Sequence, residues 1–195
     1  MKKAILSGIF FLILGSCGVV SSGTPPRNLD NACAIVQQRP NYLRAFKATE
    51  RKWGVPVHVQ MAIIHQESSF RSNAKTPMRY FLGVIPRGRQ SSAFGYAQAL
   101  DGTWEEYKAK TGRFIASRSN IRDATDFMGW YMNNTKKRNG IALSDTKNQY
   151  LAYHEGQTGF ARGTHRRKSW LLNVANKVKS RASMYNRQLR QCVRA

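Results

Sequence analysis

The most apolar helix-like stretch after the N-terminal segment constrains the fold more than any other feature. The run VHVQMAII, Val57 to Ile64, carries an apolar stripe, and Pro56 before it suits the first turn of a helix. It therefore predicts a core-facing helix. The next residues, HQESSF, place Glu67 where that helix ends. A carboxyl group there is either solvated at a helix end or desolvated by the apolar helix, and desolvation would give it the raised pKa of a general acid.

Most of the remaining chain also has helical spacing, with proline or glycine at the expected ends. The exception is the interval from Ser69 to Phe94, where RYFLGVI is either a strand of a small hairpin or an apolar loop that lines a groove. The 195 residues are enough for one domain with a real core. The predicted fold is mainly α with very little β. The predicted helical segments are 41–54, 55–67, 101–112, 123–140, 144–156 and 169–192.

The N-terminal segment, MKKAILSGIFFLILGSC, has the layout of a secretory signal: two lysines, an apolar core and small residues before Cys17. It is too short to be counted as a membrane span. LGSC resembles the lipobox of bacterial lipoproteins, although a plain signal peptide with a chance cysteine is the alternative. Gly18 after the cysteine, by resemblance to enteric sorting rules, indicates the periplasmic face of the outer membrane. We expect a signal peptide over 1–16, a tether over 17–30 that is lipidated at Cys17, and a single folded domain over 31–195.

The charge of the chain is strongly positive. Lys and Arg number 32 against 10 acids, which gives a net charge of +22. Loss of Lys2 and Lys3 with the signal peptide would leave +20. Such a surface favours nucleic acid, anionic lipid or an acidic wall polymer. An exported protein does not meet the chromosome, so we do not expect nucleic acid as a partner.

Two cysteines remain near the ends of the expected domain, Cys33 and Cys192. In an oxidising compartment two leftover cysteines usually form a disulfide, and free buried thiols are the alternative. The four histidines show no convincing ligand spacing, so no metal and no cofactor are predicted.

The chain has so few acidic residues that those with an ordinary structural role can be eliminated as candidate catalytic groups. Asp30 lies in the tether, and Glu50 lies among basic residues on a face that we expect to be solvated. Glu67 and Glu155 have no such structural explanation. The others fall where helix N-caps belong or in first turns, where negative charge suits the helix dipole: Asp101, Asp123 and Asp145 as caps, and Glu105, Glu106 and Asp126 in first turns.

Three motifs follow in a specific order, and together they resemble the catalytic domain of bacterial lytic transglycosylases, over roughly Tyr42 to Val178. That family's Glu-Ser pair matches Glu67-Ser68, and its Gly-Leu-Met-Gln motif matches GYAQ, Gly95 to Gln98. Its Ala-Tyr-Asn motif matches AYH, which ends at His154. Tyr96-Ala97 and His154 depart from the family pattern, and these departures concern substrate preference more than reaction type.

The resemblance implies a goose-lysozyme-like fold and a peptidoglycan lytic transglycosylase. Such an enzyme cleaves the β-1,4 bond between N-acetylmuramic acid (MurNAc) and N-acetylglucosamine (GlcNAc) and leaves a 1,6-anhydro-MurNAc end. Glu67 would act first as acid and then as base, held by a hydrogen bond from Tyr153. The aromatic side chains of the motifs would either stack on sugars or belong to the core. The expected substrate-binding residues are Ser68, Ser69, Phe94, Gly95, Tyr96, Gln98, Tyr150, His154 and Glu155.

Two other functions remain open at this point. One is a hydrolytic muramidase in which Glu155 positions a water molecule. The other is a non-catalytic basic lipoprotein that binds wall glycan or another anionic surface.

Overall fold

A computed structural model describes residues 24–193 of the chain. The expected signal peptide, Cys17 and most of the expected tether lie outside these residues. The described part is mainly α-helical with one two-stranded sheet, as predicted. Its helices are α1 (Ala32–Gln38), α2 (Pro40–Trp53), α3 (Val57–Ser68), α4 (Asp101–Thr111), α5 (Ile121–Asn139), α6 (Thr146–Ala161) and α7 (Ser169–Cys192), with a 3₁₀ helix at Thr164–Arg167 and strands β1 (Met78–Phe81) and β2 (Ile85–Arg89).

Helix α3 is the central helix of the fold. Val59 and every residue from Met61 to Ile64 are fully buried, which confirms the core-facing helix predicted from the apolar run. The helix packs against α7 and α2, while α5 packs against α2 and α6. A helix that is apolar on most sides belongs in the middle of a bundle. The carboxyl group of Glu67 therefore stands at the end of the most buried helix.

Both ends of α3 are fixed by specific contacts. Glu50 Oε1 accepts a hydrogen bond from the backbone N–H of Val57 at 3.1 Å, so Glu50 caps α3. The expectation that Glu50 lies on a merely solvated face was wrong. At the other end, Ser69 and Phe70 both adopt left-handed backbone conformations, and the buried Phe70 ring stacks on Tyr42 with centroids 6.0 Å apart. Such conformations are costly for residues other than glycine, and they end the helix directly after the Glu-Ser pair.

The N-caps are only partly as predicted. Asp145 caps α6, with Oδ1 accepting from Asn148 N at 3.2 Å. Leu100 and Asn120, however, stand at the cap positions of α4 and α5. Asp101 lies one residue inside α4 and is paired with Arg118, with 2.7 Å between Oδ1 and Nη1.

The prediction that Asp126 lies in the first turn of a helix was also wrong. It lies beyond the first turn of α5, where its buried carboxylate accepts hydrogen bonds from Lys52 Nζ (2.9 Å), Trp53 Nε1 (2.9 Å) and the Tyr107 hydroxyl (2.7 Å). Burial raises the pKa of this carboxyl, but the hydrogen bonds outweigh burial and lower it. Asp126 therefore joins α2, α4 and α5.

The termini of the domain are joined covalently. Cys33 and Cys192 form the predicted disulfide, with their Cα atoms 5.9 Å apart. In the chain-entropy model, closing such a long loop stabilises the fold by roughly 4–5 kcal/mol. The last residues of the expected tether also lie on the domain: Asp30 is paired with Arg181 at 2.6 Å, and Tyr185 donates a hydrogen bond to Leu29 O.

The interval between α3 and α4 contains a β-hairpin, as one of the two predicted alternatives had it. RYFLGVI is not a single strand, however, because it contains the end of β1, the turn and the first residue of β2. Strands β1 and β2 are antiparallel, with Phe81 opposite Ile85 and Tyr80 opposite Pro86. Within residues 24–193, none of the helices combines the length and apolarity needed to cross a membrane.

Candidate active site

Glu67 is a carboxyl group to which the described residues bring no charged partner. It lies in the last turn of α3 and is only partly exposed. Burial raises its pKa from 4.5 to about 8, and no cation or hydrogen-bond donor among the described residues lowers it. The partial negative charge at a helix C-terminus acts in the same direction. At neutral pH the carboxyl group is therefore mostly protonated and able to donate a proton.

Two tyrosines of α6 lie near Glu67. Burial raises the pKa of Tyr150 and Tyr153, and the nearby charge of Glu67 raises both further. The Tyr153 hydroxyl donates to Ala97 O at 2.6 Å. The expected hydrogen bond from Tyr153 to Glu67 is thus not made in the described residues, because the single hydroxyl proton is used to join α6 to the GYAQ turn.

The GYAQ turn depends on its first and last residues. Gly95 has φ +79°, and a Cβ there would lie 2.1 Å from Arg118 O, so only glycine fits. Gln98 is also left-handed, and its Nε2 donates to Ala74 O and Gly95 O, both at 2.9 Å. The amide nitrogen of Gln98 therefore holds the turn in shape rather than pointing freely toward a ligand.

A groove of about 220 Å³ brings the GYAQ and AYH motifs together. Its walls come from the residues before and within α4, from α5 and from α6. A larger cavity of about 710 Å³ lies beside α2 and residues 117–122, and Tyr96 is the only motif residue that lines it. The smaller groove is the candidate site because it contains side chains of two of the three motifs. Glu67 is not among its lining residues, but the charge of Glu67 raises the pKa of Tyr153, which does line the groove. The groove is lined by Gln98, Ala99, Leu100, Thr103, Phe127, Tyr131, Tyr153, His154, Glu155 and Gly156.

Glu155 has the opposite environment to Glu67. Lys168 Nζ lies 2.8 Å and 2.9 Å from its two oxygens, Thr164 Oγ1 donates to one of them, and His154 Nδ1 lies 3.1 Å from the other. Burial alone would raise its pKa, but these hydrogen bonds lower it to about 2. Gly156 breaks the helical backbone of α6 immediately afterwards, with φ 74° and ψ 155°. Within residues 24–193 no group of three or more His, Cys, Asp and Glu side chains is arranged to hold a metal ion.

Three of the expected substrate-binding residues are buried and cannot contact a glycan in this structure. The Ser68 hydroxyl donates to Ile64 O at 3.2 Å, inside the last turn of α3. The hydroxyl groups of Tyr96 and Tyr42 lie 2.8 Å apart within the core. Tyr150 is also a core residue, only 4% exposed. Tyr96 and Tyr150 are therefore core residues, which was one of the two roles left open for the aromatic residues of the motifs.

Two other expected residues keep an exposed surface. Ser69 is half-buried at the end of α3. Phe94 is half-buried between two cations, with Lys75 Nζ 5.6 Å and the Arg118 guanidinium 5.4 Å from the ring centroid. Phe94 therefore remains a candidate for stacking on a sugar.

Sequence reasoning missed two aromatic residues at the site. Trp170 is 54% exposed, and its ring meets that of His154 edge-on with centroids 5.3 Å apart. Tyr131 lines the groove and packs edge-on against Tyr153 at 5.2 Å. A tryptophan directly after the Gly-rich basic loop was the available signal for Trp170. No local signal distinguished Tyr131 from the other apolar residues of α5.

Comparison with known families identifies the family to which the chain belongs. The family model described as the transglycosylase SLT domain matches residues 5–192, almost the whole chain. Comparison with curated proteins returned no match. Membership of the matched family implies a transglycosylase that acts on peptidoglycan. The chain belongs to the transglycosylase SLT family, and its described residues form the lysozyme-like domain of a lytic transglycosylase.

Proposed function

We propose that this protein cleaves the β-1,4 bond between MurNAc and GlcNAc in peptidoglycan and uses Glu67 as its only reacting carboxyl group. The observation that carries the proposal is the pKa of about 8 of Glu67, which results from burial and is not offset by an ion pair. A group with such a pKa is protonated before the reaction and is a stronger base than an ordinary carboxylate afterwards. One residue can therefore perform both proton transfers.

In the first step, protonated Glu67 donates its proton to the glycosidic oxygen while the bond from that oxygen to C1 of MurNAc breaks. The GlcNAc side leaves as an alcohol. The N-acetyl group of MurNAc stabilises the oxocarbenium-like centre at C1. Glu67 is now ionised in a desolvated position, which favours its return to the neutral form.

In the second step, the 6-hydroxyl of the same MurNAc attacks C1, and its proton passes to Glu67. A 1,6-anhydro ring closes, and the enzyme returns to its starting protonation state. No water is consumed. Atoms and protons balance over the two steps with Glu67 and the substrate alone.

The environment of Glu155 argues against the hydrolytic alternative. Most glycosidases use a second carboxylate as nucleophile or as the base that activates water. Both Glu155 oxygens are bound by Lys168, and the side chain is only 4% exposed. A carboxylate held in this way is better suited to fixing α6 at the break beside the groove than to positioning a water molecule.

We further propose that the groove residues bind the glycan by different means. His154 and the half-buried Phe94 would contact sugar rings, together with Trp170. Apolar and aromatic surfaces commonly supply the affinity of a ligand groove, while a few polar groups fix orientation. Gln98 and Gly95 would act chiefly by shaping the turn at the groove edge.

The cellular location is also a proposal. The sequence of residues 1–17 supports export and lipidation at Cys17, with the domain at the periplasmic face of the outer membrane. Metabolic labelling with a radioactive fatty acid tests the lipid attachment. The label should enter the wild-type protein and be absent from a Cys17→Ala variant, and label retained in that variant would place the lipid elsewhere.

Mass spectrometry of digested sacculi tests the proposed reaction. Products that end in 1,6-anhydro-MurNAc are expected, one water lighter than the products of hydrolysis. Products that carry the added water would establish a muramidase. If the folded wild-type protein binds sacculi but releases no fragments, the protein is a non-catalytic glycan-binding lipoprotein instead.

A further inference from the structure

The tip of the hairpin is unusually apolar for an exposed part of a protein. Leu82 and Val84 are 79% and 74% exposed, and Phe81 and Ile85 next to them are also exposed. Residues 80–85 supply five of the nine large hydrophobic side chains that are exposed in the described part of the chain. A contiguous exposed apolar patch of this kind marks an interaction site more often than a chance feature.

The backbone of the tip adds an independent observation. Leu82 and Gly83 have φ values of 50° and 75°, and Val84 N donates to Phe81 O at 3.2 Å, as in a type I′ turn. Asn-Gly is the preferred pair for this turn, because asparagine tolerates the left-handed conformation and leucine does not. Leucine therefore weakens the turn, and no packing within the domain compensates for it. A strained residue that remains exposed points to a role outside the fold.

The charges around the tip restrict what it can meet. Arg79, Arg87 and Arg89 lie on the two strands and are exposed, and the Arg87 guanidinium lies 5.1 Å from the Phe81 ring centroid. The sequence contains no acidic residue between Glu67 and Asp101. The hairpin thus combines an apolar end with a wholly cationic base. A bilayer with anionic headgroups above an apolar interior has the complementary arrangement.

We propose that the β1–β2 hairpin inserts its tip, Phe81 to Ile85, into the surface of an anionic lipid bilayer. The arginines of the strands lie at the level of the headgroups. Tyr80 lies at the boundary between the headgroups and the apolar interior, where tyrosine is favoured. The proposal is independent of the reaction assigned to Glu67.

The base of the hairpin connects this contact to the groove. Arg89 Nη1 donates to Thr76 O at 2.6 Å, and Thr76 Oγ1 donates to Ser91 O at 2.9 Å, which fixes the two ends of the hairpin to each other. Two residues earlier, Ala74 O accepts hydrogen bonds from Gly95 N and Gln98 Nε2, both in the GYAQ turn. A hairpin held in a bilayer therefore sets the position of the groove relative to the membrane.

Vesicle binding by residues 24–195 tests the proposal. The described residues contain a complete core and the disulfide, so this part can be produced without the apolar N-terminal segment. Co-sedimentation with vesicles of equal phosphatidylglycerol and phosphatidylcholine should show binding, and pure phosphatidylcholine vesicles should bind more weakly. Leu82→Asn should weaken binding to the anionic vesicles by about tenfold, the effect expected when one leucine side chain no longer enters the apolar layer. Its Tm should not fall, because Asn-Gly suits the turn.

Two controls separate the hairpin from general surface properties. Ile115→Asn removes a fully exposed apolar side chain outside the hairpin and should leave vesicle binding unchanged. Arg79→Gln should weaken binding at low salt and have little effect at high salt, where exposed charges are screened. The proposal is overturned if the wild-type domain does not bind anionic vesicles, or if Leu82→Asn binds as wild type does. It is also overturned if Ile115→Asn loses as much affinity, or if Leu82→Asn weakens binding to sacculi and not to vesicles.

Discussion

Glu67 and Glu155 are the same residue type at the ends of two helical runs, yet their carboxyl groups differ greatly in acidity. The pKa of Glu67 is raised to about 8, and that of Glu155 is lowered to about 2. Both side chains are substantially removed from solvent. Burial therefore does not explain the difference, since it disfavours the charged form in both cases.

The difference comes from hydrogen-bonding partners. Glu155 receives Lys168, Thr164 and His154, which all favour its ionised form. Within residues 24–193, no Lys or Arg side chain pairs with Glu67, although the chain is strongly basic. Without a nearby cation, Glu67 stays protonated near neutral pH, as a general acid must. Glu155 is surrounded by hydrogen-bond donors and is therefore ionised and fixed in place.

Replacement of the unpaired carboxyl group should have the largest effect. Glu67→Gln keeps the size of the side chain but removes the transferable proton, and we expect turnover of sacculi to fall by about 10³-fold or more. Fragment release measured against the wild type checks this, with circular dichroism to show that the variant is folded. A folded variant with near wild-type turnover would falsify the role of Glu67.

The second-largest expected effect is on the pH dependence of folding stability, in which Glu67 and Glu155 should differ in direction. Because the folded-state pKa of Glu67 is raised, its contribution to stability is fully present below pH 4.5 and is lost as pH rises through about 8. Between pH 5 and pH 9 the wild type should therefore lose stability relative to Glu67→Gln, on the order of a few kcal/mol. Urea unfolding of both proteins over this range measures it, and parallel stability curves would show that Glu67 is not desolvated.

For Glu155→Gln we expect the opposite pH dependence of stability. Its lowered pKa stabilises the fold above pH 4.5, and this contribution is lost as pH falls toward about 2. Since Lys168 is 41% exposed, we expect a loss of only about 1–2 kcal/mol at pH 7. Turnover should fall far less than in Glu67→Gln. A variant as inactive as Glu67→Gln but equally stable as the wild type would assign Glu155 to the chemistry.

Trp170→Ala should have the smallest effect of the four. The ring is exposed beside His154, so its loss should change the free energy of unfolding by less than about 0.5 kcal/mol. If it stacks on a sugar, KM for soluble glycan fragments should rise by about three- to tenfold with little change in kcat. An unchanged KM would remove Trp170 from the binding surface.

The sequence predicted the parts of the molecule that depend on local pattern. The apolar run Val57 to Ile64 identified the central helix, and the motif order predicted the family and drew attention to Glu67 and His154. The Cys33–Cys192 disulfide followed from compartment and position. These inferences required only nearby residues or chain order.

Features that depend on the tertiary arrangement were missed. Asp126 and Glu50 looked like ordinary helix acids, but each binds groups that lie on another helix or loop. Ser68 matched a family motif, yet helix phase turns its side chain into the interior, and the fold of the GYAQ turn buries Tyr96. The tie between Tyr153 and Ala97 joins residues 56 positions apart, and no local pattern could show which acceptor the hydroxyl would choose.

A direct titration of the two carboxyl groups tests the central claim of this account. Carbon-13 NMR of the side-chain carboxyl signals, assigned with Glu67→Gln and Glu155→Gln, gives each midpoint in the folded protein. The structure predicts a midpoint near pH 8 for Glu67 and near pH 2 for Glu155. A Glu67 midpoint close to its ordinary value of 4.5 would contradict the assignment of Glu67 as the proton donor at neutral pH.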